Sequence, residues 1–208
     1  MRTDLWLAFV AAASAMLVIP GPTILLVIGQ SLASGGEAGR WRRVLPLVLG
    51  VAAGDAVAMT VSLAGLGAVL AASATAFTVM KLAGAAYLFW LGLRLWRAPV
   101  GAMAAPSLPA IHAARQAFVV TALNPKSIAF FTAFVPLFID PAAGYVPQAA
   151  MLIATFVSLG ALNAAAYALL AGRLSGAVQQ PRIRRGCNRV GGGALMAAGI
   201  VTATLRRG

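Results

Sequence analysis

Apolar residues run along this chain in six long stretches, separated by short segments that gather arginine, proline and glycine. The stretches cover residues 5–33, 44–72, 76–95, 117–139, 149–171 and 187–205. Each reaches roughly the 20 residues a helix needs to cross a hydrocarbon layer, so the pattern predicts six transmembrane helices. The sixth is the shortest and contains Gly191-Gly192-Gly193. Residues 98–114 carry Pro99, Pro106 and Pro109 and read as a loop, and Asp140-Pro141 with Gly144 and Pro147 reads as a turn. The expected organisation is one all-α membrane domain over 1–208, with a half over about 1–97, a loop over 98–114 and a half over about 115–208.

Two of the stretches are interrupted inside the expected membrane, the first at Ile19-Pro20-Gly21-Pro22 and the fourth at Leu123-Asn124-Pro125-Lys126. Backbone groups there cannot find bulk water and must be satisfied by protein, by a cavity or by a ligand. A proline lacks its own N–H and crowds the carbonyl four residues back. Pro20 and Pro22 therefore free the carbonyls of Met16 and Val18, and Pro125 frees that of Thr121. Half-helices starting near Thr23 and Lys126 would offer N–H groups to an anion. Acceptors and donors together suit the ammonium and carboxylate of an amino acid. Prolines are also ordinary kinks in membrane helices, which is the simpler reading of each break taken alone.

Composition agrees with a membrane protein: 61% of the 208 residues are hydrophobic, 10% are charged, and the mean hydropathy is +0.90. A net charge of +12 would suggest nucleic acid in a soluble protein, but here the placement argues against that partner. Eleven of the 16 basic residues, all arginine, fall between stretches one and two, three and four, and five and six, or at the adjoining ends of those stretches as Arg94 and Arg189 do. By the positive-inside bias that side is cytoplasmic and both termini are periplasmic, with Arg206 and Arg207 as the exception. The cytoplasmic arginines would meet anionic lipid head groups. Arg2 is followed by an apolar core and by small residues around Ala11-Ala12-Ala13-Ser14-Ala15, as in a signal peptide, yet Asp4 offsets Arg2 and the run outlasts a signal core of about 7–15 residues. Cys187 and His112 are the sole cysteine and histidine, so neither a disulfide nor a transition-metal site is expected, and nothing calls for a cofactor.

The stretches repeat in order. Pro22-Thr23-Ile matches Pro125-Lys-Ser-Ile, the Gly50 to Asp55 segment matches Gly160 to Asn163, and Lys81-Leu-Ala-Gly84 matches Arg189-Val-Gly-Gly192. Two halves of three spans have opposite orientations, which predicts a 3+3 inverted repeat with broken first and fourth helices and a midplane site between them. An Ala- and Gly-rich chain can also align with itself by accident. Asp55 lies about 16 Å of helix rise from residue 44, and Lys126 about 14 Å from residue 117, so both sit near mid-membrane. Each buried charge costs about 2.5–3.5 kcal/mol on insertion scales, and pairing with the other is the obvious compensation, for transport or for packing alone.

The remaining polar positions carry less. Gly50-x-x-x-Gly54 fits close helix packing, and Asn163 fits either the cavity or an interhelical hydrogen bond. Tyr87, Trp90 and Trp96 fit packing and interface anchoring, and His112 fits an exposed loop. Ser34 before Gly35 lacks the strand–turn–helix setting of a hydrolase elbow, and the chain has a poor inventory for an enzyme.

Ile19-Pro-Gly-Pro, Gly50-x-x-x-Gly-Asp55, the block Phe77-Thr-Val-Met-Lys-Leu-Ala-Gly-Ala-Ala-Tyr-Leu-Phe-Trp-Leu-Gly-Leu-Arg-Leu-Trp96 and Leu123-Asn-Pro-Lys126 resemble the LysE/RhtB amino-acid exporter family over nearly the whole chain. The resemblance implies proton-driven secondary export of an amino acid or close derivative across the bacterial inner membrane, by alternating access. Substrate contacts are then expected at Pro20, Gly21, Pro22, Thr23, Asn124, Pro125, Lys126 and Asn163, with Asp55 as the proton carrier. Many members have Asn where this chain has Thr23, which leaves the side chain selected by the cavity open. A passive small-solute channel and a non-transporting partner subunit are the alternatives, and the oligomeric state is left open.

Overall fold

The computed structural model describes residues 1–33, 40–72, 74–98 and 108–204, and most of these lie in helices. The first stretch is two helices, α1 (Thr3–Val18) and α2 (Pro22–Ala33), which meet at 54° across Ile19-Pro20-Gly21. Then come α3 (Arg40–Ala72), α4 (Ala74–Arg97), α5 (Ala110–Ala122) and the five-residue α6 (Pro125–Ala129). A π-helical turn (Phe130–Phe134) and a 3-10 turn (Val135–Phe138) complete the fourth stretch, and α7 (Tyr145–Gln179) and α8 (Pro181–Thr204) follow. Among the described residues, Val44–Gly65, Ala110–Phe138 and Tyr145–Ala171 are long and apolar enough to cross a bilayer, and the bent α1–α2 pair makes a fourth candidate. The third and sixth stretches are helices α4 and α8, each of 24 residues.

Several boundaries differ from the sequence expectation, and for a common reason. Helix α5 starts at Ala110, inside the segment read as a loop, because Pro109 accepts the first turn's bond from Ala113 N at 3.0 Å and Ala113 and Ala117 are buried. His112 and Arg115 occupy exposed positions of that helix and end a hydropathy window without ending the helix. Arg182, Arg184, Arg185 and Arg189 likewise lie within α8, and Arg173 within α7. Residues 99–107, Ser34, Gly35, Glu37, Arg206 and Arg207 lie outside the described residues.

Buried side chains form two large clusters at opposite ends of the long helices. One joins Phe9, Met59, Leu63, Phe130, Phe131, Phe138, Leu152 and Phe156, with Phe131 edge-on to Phe156 at 4.8 Å between ring centres. The other joins Val27, Ile28, Val44, Leu47, Val51, Ala117, Ala164 and Ala168. Gln148 closes the turn before α7: its amide oxygen accepts from Asp140 N at 3.0 Å, and its NH2 donates to Asp140 O, also at 3.0 Å. Outward-facing Leu45, Leu49, Val57, Val61, Leu162 and Leu170 are exposed, as a lipid-facing surface requires.

Glycines set how closely the helices approach. Gly50 and Gly54 face α5, where a Cβ on Gly54 would lie 2.8 Å from Phe118 O, so the Gly-x-x-x-Gly pair serves packing. Helices α4 and α8 meet through Gly92 and Gly192, each of whose Cβ would lie 2.5 Å from the other's carbonyl oxygen. A Gly192→Val substitution must push these backbones apart. It is expected to cost about 3 kcal/mol, read as a lower unfolding temperature of the detergent-solubilised protein.

Candidate functional site

The two breaks meet between the two buried clusters, and side chains of the second half satisfy the backbone that the first break frees. Lys126 Nζ donates to Met16 O and Ile19 O, both at 3.1 Å. Asn163 Nδ2 donates to Leu17 O at 3.0 Å, and Tyr167 OH donates to Val18 O at 2.7 Å. Four successive carbonyls are thereby engaged. The sequence expectation that Met16 and Val18 present open acceptors is corrected, since Lys126 and Tyr167 occupy them. The Thr121 carbonyl is also taken, by Asn124 N at 3.1 Å.

The second break is built locally. Pro125 supplies a helix-ready φ at the first position of α6, and Asn124 Oδ1 caps that turn by accepting from Lys126 N at 3.0 Å. That N-terminus is therefore capped, not open as the sequence suggested. Asn124 Nδ2 donates to Thr23 Oγ1 at 3.2 Å, and Thr121 Oγ1 lies 3.3 Å from the same oxygen. The Thr23 hydroxyl joins the two breaks.

Asp55 and Lys126 face one small chamber, whose walls also include Gly21, Thr23, Gly160 and Asn163. The chamber's volume is about 20 Å³, room for about one water molecule. Asp55 is 3% exposed and Lys126 7%, yet no ion pair within 4.0 Å joins them. The direct pairing expected from the sequence is corrected on this point: the Lys126 ammonium is turned onto the first break's carbonyls. Among the described residues no group hydrogen-bonds to the Asp55 carboxyl, and it faces the chamber. Two glycines make room for the charges. A Cβ on Gly160 would lie 2.7 Å from Asp55 Oδ2, and one on Gly21 would lie 3.3 Å from Lys126 Nζ.

A larger cavity of about 220 Å³ lies beyond Lys126, lined by Pro22, Leu91, Arg94, Leu95, Pro125 and Leu195 among others. Gly21, Asn124 and Lys126 belong to both spaces and form the wall between them. Of the expected site residues, Pro20 lines neither. Sequence reasoning missed Tyr167, Ser127 and the role of Gly160 beside the carboxylate. Tyr167 stands one helical turn beyond Asn163 on α7, and that i, i+4 spacing was the available signal. Among the described residues, no three His, Cys, Asp or Glu side chains gather as metal ligands would.

Broken helices around a small chamber lined by Asp55 and Lys126, with apolar helices outside, are the architecture of a membrane transporter. Residues 14–205 match the LysE type translocator family, and the chain belongs to it. An uncharacterized membrane protein of Vibrio cholerae is 34% identical over 209 residues, covering 99% of this chain and all of its relative. A homoserine/homoserine lactone efflux protein of Salmonella typhimurium is 29% identical, covering 99% of each chain. A leucine efflux protein of Enterobacter is 30% identical over 155 residues, covering 73% of this chain and 71% of that protein. No solved structure matches the chain.

Proposed function

We propose that this protein is a secondary active exporter of an amino acid or close derivative across the bacterial inner membrane, coupled to protons through alternating access. The observation that carries the reading is Asp55, a buried carboxylate with no hydrogen-bond partner, facing the Lys126 ammonium across a chamber between two broken helices. Such a carboxylate can bind either a proton or the ammonium of a substrate, and competition between the two is the minimal logic of antiport. Lys126 has three ammonium protons and spends two on carbonyls, which leaves one to meet a substrate carboxylate. The efflux relatives support the direction of transport and the solute class.

Six spans in a 3+3 inverted repeat fit the order of elements: α1–α2 corresponds to α5–α6, α3 to α7, and α4 to α8. The arginine-rich side is then cytoplasmic and both termini are periplasmic. A chamber for one water, with packed clusters on either side, favours a carrier over a continuous channel.

The test is flux from proteoliposomes loaded in turn with single amino acids, under an imposed proton gradient. Efflux of at least one amino acid is expected to accelerate with an opposing proton gradient and to fall when a protonophore collapses it. Gradient-independent leak would indicate a channel, and no flux of any amino acid would overturn the reading.

A further inference from the structure

The 220 Å³ cavity is about ten times the volume of the 20 Å³ inner chamber and differs from it in chemistry. Its charged lining residues are Arg94 and Lys126, with no carboxylate, and Leu91, Leu95 and Leu195 supply apolar walls. The Arg94 guanidinium lies over the Trp90 ring, 4.9 Å from its centre, and has no ion-pair partner among the described residues. Stacking fixes the guanidinium while leaving its N–H donors free, and those donors match a carboxylate. A substrate ammonium finds no counter-charge among the described residues of this cavity, because Asp55 lines the chamber behind the Lys126 wall instead.

We propose that the cavity walled by Arg94, Lys126, Leu91, Leu95 and Leu195 is an outer subsite for small carboxylates with an aliphatic tail, occupied before the inner chamber opens. It takes the carboxylate between two cations and the tail among the leucines, and is indifferent to the amine. Recognition is thus divided: acid and side chain outside, ammonium inside at Asp55. The order of the two sites rests on the export reading, but binding at the outer one does not require transport.

The experiment uses the intact purified protein and follows tryptophan fluorescence, since Trp90 touches Arg94. Three probes are titrated: leucine, 4-methylpentanoate (leucine without its amine) and 3-methylbutan-1-amine (leucine without its carboxylate). Leucine and 4-methylpentanoate are expected to give saturable changes with comparable midpoints, and the amine none. Arg94→Gln should raise both midpoints about tenfold, the scale of one charge-assisted hydrogen bond. Leu195→Phe, which fills the cavity without touching charge, should weaken both acids as well. Equal binding of the amine, or midpoints unmoved by both variants, would overturn the proposal. Export of leucine by a preparation that does not bind 4-methylpentanoate would sink the outer subsite and leave the exporter reading intact. Acid binding without export of any amino acid would do the reverse.

Discussion

Asp55→Asn is expected to lower gradient-driven export by about a hundredfold or more while leaving the protein at least as stable as before. The two halves of that expectation have one cause. Asp55 is buried and makes no hydrogen bond, so only the Lys126 ammonium across the chamber offsets its desolvation. An asparagine of nearly the same shape removes that burden, and the unfolding temperature should hold or rise. A substrate ammonium, however, loses its buried counter-charge, and losses of about 2–5 kcal/mol are usual when one member of such a pair is removed. A carboxylate that served only packing would give the opposite pattern, with lower stability and little change in flux. Counterflow separates the two transport roles, because it needs substrate binding but no net proton movement. Counterflow retained in the asparagine variant would confine Asp55 to proton coupling. Gly160→Ala supplies an independent check: the added methyl would fall 2.7 Å from Asp55 Oδ2. It should displace the carboxylate and slow export with the charge still present.

The sequence placed helices well and their contacts poorly. The described part of each apolar stretch is largely helical, though only three described helices, or four with the bent first pair, are long and apolar enough to span. Hydropathy records which residues can face lipid or a packed interior. It does not record where a helix ends once charged residues point away from the neighbours, so α5 and α8 begin earlier than their apolar runs. The breaks were visible as Pro-Gly-Pro and Asn-Pro, since proline chemistry is local. What fills them was not. Leu17 and Asn163 meet across 146 positions, and Met16 and Lys126 across 110, and no local pattern encodes such pairings. Matching depths correctly suggested that Asp55 and Lys126 share a space. Depth alone could not show that the ammonium turns to backbone oxygens rather than to the carboxylate.

Lys126→Met should also abolish export, but with the opposite effect on stability, and the contrast is what identifies its role. Methionine keeps the length and apolar stem of the side chain while removing both bonds to Met16 O and Ile19 O. Buried acceptors left unsatisfied cost about 1–3 kcal/mol each, so the unfolding temperature should fall clearly. Lys126→Arg retains the charge but places a wide fork where Gly21 leaves room for an ammonium alone, and partial stability with poor transport is expected. The Asp55→Asn, Lys126→Met double variant then measures how far the two charges act on each other. Asp55 loses its neighbouring cation in the lysine variant, so part of that variant's instability should vanish when the carboxylate is also neutralised. Transport should not return, because a zwitterion then finds neither the Asp55 carboxylate for its ammonium nor the Lys126 ammonium for its carboxylate. Near-normal export by a correctly inserted Lys126→Met protein would reduce Lys126 to a clasp between the broken helices, and the substrate carboxylate would have to be met by another group, with Arg94 the first to examine.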